Sequence, residues 1–436
     1  MSCKESELWY NAMKNEMSSM RCNDVWDLVE LLNGVKTIGC KWVFKTKKDS
    51  LGNIERYKAR LVAKGFTQKE GIDYTETFSP VSKKDSLCII LALVAHFDLE
   101  LQQMDVKTTF LNRELKEEVY MKQPEGFPSS DREQLVCKLK KSIYGLKQAS
   151  RQWSKVCFLV LYVDDILLAT NDKGLLHEVK QFLSKNFDMK DMSEASYVIG
   201  IKIHRDRFKG ILGLSQETYI KKVLERFRMK NCSPSVSPIV KGDRFNLNQW
   251  PKNDLEREQM KNIPYASAVG SLMYAQVCTR PDIAFVVGML GRYQRNPSIG
   301  HWKAAKIVMR YFQGTKDYKL MYRRTSNLKV VGYSDSDFAG CVDSRKSTSG
   351  YIFILAGGAI SWRSVKQTMT ATSTMEAEFI SCFEATSHGV WLKSFISGLR
   401  VMDLISRPLS IYCDNSVAVF MAKNNKSGSL KQAHRH

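Results

Sequence analysis

The stretch FLVLYVDDILLAT, residues 158–170, places two adjacent acids, Asp164 and Asp165, between two runs of apolar residues. This pattern predicts a β-hairpin with the carboxylates at its tip. A pair of aspartates in a turn is most often only a turn, because Asp forms its own local hydrogen bonds there. Here, however, both flanking strands are apolar enough to be buried, and two adjacent acids in such a place need a metal ion or another cation.

A third acid, Asp105, ends a predicted strand upstream of the hairpin. This strand, LELQQMDV at 99–106, follows a predicted helix at 85–96, where apolar residues recur at helical spacing. Three carboxylates on one sheet can hold two Mg²⁺ ions, with Mn²⁺ as the alternative ion, in the arrangement that in-line phosphoryl transfer requires. Asp105, Asp164 and Asp165 are therefore the first candidate group of catalytic, metal-binding residues.

A second group of acids lies in the last quarter of the chain. The segments GYSDSDFAG (332–340) and IYCDN (411–415) predict strands, and STMEAEFISC (373–382) lies in a predicted long helix. Strand, helix and strand supply three acids that could bind two metal ions and activate a water against a phosphodiester. A lone SDSD could simply cap a loop. The candidates are Asp335, Glu378 and Asp414, with Asp337 and Glu376 as near neighbours that are not excluded.

The composition favours a polyanionic partner. The chain has 66 Lys and Arg against 45 Asp and Glu, a net charge of +21, and each phosphate that a basic protein neutralises releases counterions. A generic basic protein or a binder of anionic membranes stays open on composition alone. The 11 cysteines form no CxxC pair or Cys/His ligand pattern, which argues against a disulfide framework or a structural zinc site. With no long apolar segment and no signal peptide, we expect an intracellular protein, cytoplasmic or nuclear, that is not secreted and has no membrane partner.

The order of predicted elements indicates an α+β multidomain chain. Residues 1–35 have helical spacing, and the Pro-containing stretch 233–262 is the predicted domain boundary. Residues 264–324 are predicted to be helical, and a second α/β region begins near Leu328. The predicted division is 1–35, 36–245, 246–325 and 326–436.

Several ordered motifs resemble the reverse transcriptase and RNase H regions of Ty1/copia retrotransposon Pol polyproteins. They are KWVFKTKKDSLGNIERYKARLVAKGFTQKEGIDYTETFSPV, MDVKTTFLN, SIYGLKQASRQW and YVDD, followed by the second group of acids with RKSTSGY and AISWRSVKQ. The resemblance implies a right hand of fingers, palm and thumb at 36–245, a helical connection and an RNase H-like domain. Its implied partners are an RNA template, a DNA primer, an RNA/DNA hybrid and deoxynucleoside triphosphates.

The resemblance also implies roles for single residues. Asp105, Asp164 and Asp165 match the metal-binding triad of the palm, and Asp335, Glu378 and Asp414 match the catalytic acids of RNase H. Phe110 matches the aromatic gate that excludes a ribose 2′-hydroxyl. The nucleotide-binding candidates are Arg60, whose guanidinium can engage a triphosphate, and then Lys58 and Gln148. For Arg60, Lys58 and Gln148 a solvated surface position stays open as the alternative.

The sequence departs from the family pattern at several places. Thr109 and Arg113 stand where the family has Ala and Gly. After Trp153 the chain lacks about thirty residues, equivalent to one long helix and one or two strands, and after Ser429 we expect a truncated end that lacks a fourth carboxylate. The internal loss predicts an uncovered face of the palm sheet, and each side chain left unburied forfeits about 1.5–3 kcal/mol. We therefore expect an impaired or inactive polymerase. The alternatives are a catalytically dead nucleic-acid-binding remnant and a chain with no stable fold.

Overall fold

The computed structural model describes residues 3–31, 36–48, 53–64, 83–106, 114–127, 135–141, 158–162, 165–187, 189–240, 242, 245–399 and 409–424. In these ranges the helices are α1 (Cys3–Cys22), α2 (Lys84–Phe97), α3 (Lys173–Asn186), α4 (Glu217–Arg226), α5 (Asp254–Lys261), α6 (Tyr265–Cys278), α7 (Ala284–Leu290), α8 (Ile299–Gly314), α9 (Thr374–Gly398) and α10 (Ser416–Asn424). The strands are β1 (Trp26–Glu30), β2 (Cys40–Lys48), β3 (Ile54–Ala63), β4 (Glu100–Val106), β5 (Glu114–Met121), β6 (Leu135–Lys141), β7 (Phe158–Tyr162), β8 (Asp165–Thr170), β9 (Met189–Glu194), β10 (Tyr197–Val198), β11 (Ile201–Asp206), β12 (Ile211–Ser215), β13 (Lys319–Arg323), β14 (Val331–Ser336), β15 (Thr348–Leu355), β16 (Gly358–Lys366) and β17 (Ser410–Tyr412).

The chain divides into two compact units. The first consists of Met1–Ser82, Gln103–Leu168 and Gly174–Ser193, and the second of Lys83–Gln102, Ala169–Lys173 and Glu194–His436. In the first unit, β2 and β3 form an antiparallel hairpin, and β1, β6 and β5 form a three-stranded sheet. Helix α1 packs on β3, and a core that includes Met20, Leu61 and Met121 lies among these elements.

A four-stranded sheet in the order β7-β8-β4-β9 carries the first group of candidate acids. Met104, Ile166 and Leu168 of this sheet form a core with Leu176 and Leu183 of α3. Strand residues alternate between the two faces of a sheet, so Met104 faces α3 while its neighbours Gln103 and Asp105 face the other way. Apolar alternation in the strands and the apolar stripe of α3 thus determine which face presents the acids.

In the second unit, a sheet in the order β10-β11-β12-β13 joins segments that lie far apart in the sequence. Leu212 of β12 pairs with Tyr322 of β13, whose ring is fully buried. Helices α4, α6, α7 and α8 share one apolar core that contains Leu272, Leu290 and Phe312. Because β12 and β13 pair directly, residues on both sides of the predicted 245/246 boundary belong to one folded unit.

A second sheet of this unit, in the order β16-β15-β14-β17, carries the second group of candidate acids. Strand β14 is antiparallel to β15 and parallel to β17, and α9 packs on β14 and β15. Gly332 allows a close approach inside the sheet, because a Cβ at that position would lie 2.6 Å from the ring of Phe353. The parallel pairing places the end of β17 beside the end of β14, as parallel strands require.

The predicted fold class of mixed helices and sheets is confirmed, and most predicted elements are present. The predicted helix at 85–96 is α2, and the predicted hairpin at 158–170 is β7 and β8. The prediction of a helical segment through 324 is wrong at its end, where β13 is a strand. The right-hand arrangement, the RNase H arrangement and the domain boundaries stay predictions.

Candidate functional site

The second group of acids comes from three elements of the second unit that contact one another. Asp335 lies in β14, where it pairs with Gly350 of β15, and Glu378 lies one turn into α9. Asp414 lies two residues after the end of β17. The Oε1 of Glu378 accepts a 3.1 Å hydrogen bond from the backbone N–H of Ser336, which fixes the Glu378 carboxylate at the end of β14.

Burial and charge both act on Glu378. Its side chain is only 7% exposed. Burial raises the pKa of Glu378, and the negative charges of Asp335 and Asp414 raise it further, while the Ser336 N–H and the Cys413 thiol lower it; the net pKa is raised. A carboxylate in this position is destabilised by its two acidic neighbours. A divalent cation would relieve that repulsion.

A thiol completes the cluster. One ligand atom each from Glu378, Cys413 and Asp414 lie within 4.8 Å of one another. The Cys413 thiol donates to Oε2 of Glu378 over 3.7 Å, and burial raises the pKa of this thiol to about 12. Sequence reasoning missed Cys413, although it directly precedes Asp414. Its apolar neighbours Ile411 and Tyr412 gave it the pattern of an ordinary half-buried strand residue.

The neighbouring acids Asp337 and Glu376 have local structural partners instead. Oδ1 of Asp337 accepts a 2.6 Å hydrogen bond from the N–H of Thr348. Oε2 of Glu376 accepts from the N–H and the hydroxyl of Thr372, and the N–H of Glu376 donates to Ser373, the N-cap of α9. These are a turn and a capping arrangement, so the two carboxylates hold the loops that flank the site.

Two buried polar side chains, also missed from the sequence, fix the strands and helix of this site. The hydroxyl of Ser381 donates to the carbonyl of Asp335 at 2.8 Å. Nε2 of Gln367, which is 1% exposed, donates to the carbonyl of Ala377 at 2.9 Å and to the hydroxyls of Ser336 and Ser349. The donors of the Gln367 amide and the Ser381 hydroxyl therefore tie α9 to β14 and to the neighbouring strand β15.

The first group of acids is described only in part. Asp105 lies in β4 and Asp165 begins β8, the neighbouring strand, and both are half-buried. Nε2 of Gln103 donates a 2.8 Å hydrogen bond to Oδ1 of Asp165. Gln103 and Asp105 are two residues apart on one strand and share a face. The Asp165 carboxylate therefore lies on the face of the sheet that carries Asp105.

Several predicted features lie outside the described residues. They are Asp164, Phe110, Gln148, Thr109, Arg113, the interval 153–157 and the residues from Ser429 to the end. An uncovered face of the palm sheet stays a prediction. On the described strands, Leu101, Met104, Ile166 and Leu167 are each at most 1% exposed, and α3 contributes Leu176 and Leu183 to the core on one face of the sheet.

Arg60 and Lys58 lie on β3 beside an acid of α1. Both side chains are half-buried, and Glu16 of α1 accepts a 3.3 Å hydrogen bond from the N–H of Leu61. Burial raises the pKa of Glu16, and the charges of Arg60 and Lys58 lower it in part; the net pKa is raised. The two candidate triphosphate ligands thus share their surroundings with a carboxyl group, which the sequence did not reveal because Glu16 is far from them in the chain.

Comparison with known proteins places this chain in a family. The family model for reverse transcriptase (RNA-dependent DNA polymerase) matches residues 23–160 and 154–241. The chain is 45% identical over 454 aligned residues to the retrovirus-related Pol polyprotein from transposon TNT 1-94 of Nicotiana tabacum, covering 98% of this chain and 34% of that protein. It is 37% identical to the Pol polyprotein from transposon RE1 of Arabidopsis thaliana, covering 96% and 30%. It is 31% identical to the putative transposon Ty5-1 protein YCL074W of Saccharomyces cerevisiae, covering 64% and 98%.

The chain therefore belongs to the reverse transcriptase family, and within it to the Pol polyproteins of copia-type retrotransposons. The resemblance read from the motifs is confirmed. The chain spans about a third of the length of the two plant Pol polyproteins it matches. None of the helices in the described ranges is both long and apolar enough to cross a bilayer.

Proposed function

We propose that this chain derives from an RNA-directed DNA polymerase with RNase H activity, and that Asp335, Glu378 and Asp414 form the metal site of the RNase H reaction. The observation that carries the proposal is that carboxylate oxygens of Glu378 and Asp414 lie within 4.8 Å of each other, while the charge of Asp335 also acts on the Glu378 carboxylate, which is 7% exposed. A structural role is a poor explanation, because the charges of Asp335 and Asp414 raise the pKa of the buried Glu378 carboxyl, and such repulsion destabilises a fold unless a cation binds.

The donor set fits Mg²⁺, which prefers carboxylate oxygens. Bound there, Mg²⁺ would lower the pKa of an attacking water and stabilise charge on the phosphodiester. Other residues of the chain hold the candidate metal ligands in place. Ser336 fixes one oxygen of Glu378, Ser381 and Gln367 fix β14 against α9, and Asp414, which is exposed, lies on the side from which a nucleic-acid strand could approach.

The proposal also includes a polymerase site. Asp105, Asp164 and Asp165 would hold the metal ions for nucleotide addition, with Arg60 and Lys58 at the triphosphate, Phe110 as the gate against ribose and Gln148 near the nucleotide or template. The hydrogen bond between Gln103 and Asp165 supports a shared face for Asp165 and Asp105. The proposed substrates are an RNA template, a DNA primer and deoxynucleoside triphosphates.

We further propose that polymerisation is impaired by an internal loss near residues 153–158. The alignments to the two plant relatives span 454 and 449 positions, more than the 436 residues of this chain, so the relatives carry residues that this chain lacks. The family model matches as two segments that overlap at 154–160, where the motif pattern also predicts the loss. The predicted loss precedes the strand that leads to Asp164 in the sequence, so the proposed impairment concerns the polymerase site.

Cleavage of the RNA strand of an RNA/DNA hybrid tests the leading proposal. With Mg²⁺, we expect cleavage by the unmodified chain and a loss of about a hundredfold or more in Asp335→Asn, because even groups that only support metal ligands contribute about 10- to 100-fold. Asp317→Asn, an exposed acid of the same unit, is the matched control and should cleave normally. Equal cleavage by the wild type and Asp335→Asn would refute the assignment of the site.

The second candidate function is that of a catalytically dead remnant that binds nucleic acid. The net charge of +21 favours it, since charge alone supports salt-dependent binding to a phosphate backbone. Primer extension on an RNA template separates the candidates on the polymerase side. Extension that Asp164→Asn abolishes would rule out a remnant that only binds, whereas hybrid binding without extension or cleavage in Mg²⁺ or Mn²⁺ would support it.

A further inference from the structure

The cluster at the end of β17 contains a sulfur ligand that magnesium chemistry does not use. Sγ of Cys413 lies 3.7 Å from Oε2 of Glu378, and ligand atoms of Glu378, Cys413 and Asp414 all lie within 4.8 Å of one another. Mg²⁺ selects oxygen ligands, and thiolates select softer ions such as Zn²⁺. The same corner of the fold therefore offers two overlapping ligand sets.

The separation of the sulfur and oxygen atoms matches tetrahedral zinc. Zinc lies about 2.3 Å from a thiolate sulfur and about 2.0 Å from a carboxylate oxygen. Two such ligands at a tetrahedral angle are about 3.5 Å apart, close to the 3.7 Å between Cys413 and Glu378. Asp414 is exposed and free of the constraints of a regular strand, so its carboxylate can complete a set of three protein ligands with one position left for water.

We propose that Glu378, Cys413 and Asp414 form a zinc site that overlaps the proposed magnesium site. Zinc binding forms a bond to the Cys413 sulfur and releases the thiol proton to solvent, and it withdraws Glu378 and Asp414 from the set that includes Asp335. Zn²⁺ therefore inhibits Mg²⁺-dependent cleavage by competition. This consequence rests on the proposed RNase H function, whereas the binding of zinc does not.

Cobalt reports on the sulfur ligand without any need for activity. Co²⁺ replaces Zn²⁺ in tetrahedral sites, and a bound thiolate gives a sulfur-to-cobalt charge-transfer absorption in the near ultraviolet. We expect this absorption when Co²⁺ is added to the reduced full chain, and its loss when Zn²⁺ displaces Co²⁺. Cys413→Ser should lack the absorption and bind Zn²⁺ at least about tenfold more weakly, since a ligand contributes no less than its supporting partners.

Controls separate this site from the other cysteines and from misfolding. Cys232→Ser changes a half-buried thiol elsewhere in the same unit and should retain the full absorption. Asp414→Asn alters an exposed side chain that folding does not require, and it should weaken Zn²⁺ binding while its circular dichroism stays that of the wild type. An unchanged absorption in Cys413→Ser, or none in the wild type, would overturn the zinc site.

Inhibition is then measured separately. This measurement applies if Co²⁺ and Zn²⁺ bind through Cys413 and the wild type cleaves the hybrid. Added Zn²⁺ should then inhibit cleavage by the wild type. The Zn²⁺ concentration that inhibits Cys413→Ser to the same fraction should be at least about tenfold higher. If the chain shows no cleavage at all, the proposed function fails while the cobalt absorption still decides the zinc site. If Zn²⁺ binds through Cys413 and cleavage continues unchanged, competition with Mg²⁺ is refuted.

Discussion

The side-chain amide of Gln103 donates a 2.8 Å hydrogen bond to the carboxylate of Asp165, which links two neighbouring strands of the first unit. This bond orients Asp165 toward the face that carries Asp105. A hydrogen bond to a charged group contributes more than one between neutral groups, and both side chains are half-buried. The bond therefore matters for stability as well as for the placement of the acids.

Gln103→Ala should reduce the stability of the first unit by about 1 to 2 kcal/mol, because Asp165 loses a donor in a half-buried place. Urea denaturation followed by tryptophan fluorescence measures the change. Gln181→Ala, on the exposed face of α3, is the control and should stay within about 0.5 kcal/mol of the wild type. Equal effects of the two substitutions would show that the Gln103 bond does not support the sheet.

Glu378→Gln should raise the melting temperature at neutral pH in metal-free buffer. The pKa of Glu378 is raised by burial and by Asp335 and Asp414, so the folded state holds a proton that the unfolded chain releases. The contribution of Glu378 to the stability of the fold decreases as the pH rises from the usual pKa of a glutamate to the raised pKa of Glu378. Above the raised pKa, the charged carboxylate destabilises the fold. Below the usual carboxyl range, wild type and variant should melt alike.

Thermal melts with and without Mg²⁺ test this expectation. Mg²⁺ should raise the melting temperature of the wild type, since a ligand that binds only the folded state stabilises it, and should have less effect on Glu378→Gln. Asp317→Asn, which changes an exposed acid of the same unit, is a suitable control. A variant that melts below the wild type in metal-free buffer at neutral pH would contradict the electrostatic account of the site.

Asp85 of α2 is central to a partly buried polar cluster in the second unit. The hydroxyl of Ser361 donates to Asp85 at 3.0 Å, and Nε2 of His388 lies 3.4 Å from the same carboxylate. Burial raises the pKa of Asp85, but hydrogen bonds with His388 and Ser361 and the charge of Lys84 outweigh it, so the pKa is lowered. The resulting stability is present above the usual aspartate pKa and is lost as pH falls through the lowered value.

Asp85→Asn should therefore destabilise the second unit at neutral pH, by about 1.5 to 3 kcal/mol, and flatten the acid limb of its stability profile. Chemical denaturation at several pH values measures both effects. Asp317→Asn removes an exposed acid of the same unit and should leave the profile unchanged. If the two variants behave alike at every pH, the contacts of Asp85 with Ser361 and His388 contribute nothing to folding.

The elements with strong periodicity could be predicted from sequence, and the contacts between them could not. Helix α2 follows from apolar residues at helical spacing, and strands β7 and β8 follow from two apolar runs around a pair of acids. Strand β13, KLMYR, was missed because a segment of five residues that follows a run of helices is too short to show a clear hydrophobic periodicity. It is a strand because it pairs with β12, which lies about a hundred residues earlier in the sequence.

The candidate site shows the same division. The sequence allowed three acids to be named as candidates, because they occur in a recognisable order of motifs: Asp335, Glu378 and Asp414. The effect of Asp335 and Asp414 on the pKa of Glu378 could not be predicted, because it depends on their distances in the folded chain. Cys413 was overlooked because a half-buried Cys beside apolar residues has the composition of an ordinary strand. Glu16 beside Arg60 and Lys58 could not be predicted, since only the packing of α1 on β3 brings them together.

The binding of Mn²⁺ tests most directly whether Asp335, Glu378 and Asp414 act as one metal site. The electron paramagnetic resonance signal of free Mn²⁺ falls as the ion binds to the protein, so the amount of bound Mn²⁺ can be measured without any enzymatic activity. Asp317→Asn is the control. We predict that the wild type and Asp317→Asn bind Mn²⁺ with the same affinity. Asp335→Asn and Glu378→Gln should each lower the affinity for this ion by at least about tenfold. Wild-type Mn²⁺ affinity in both variants would contradict the proposed site.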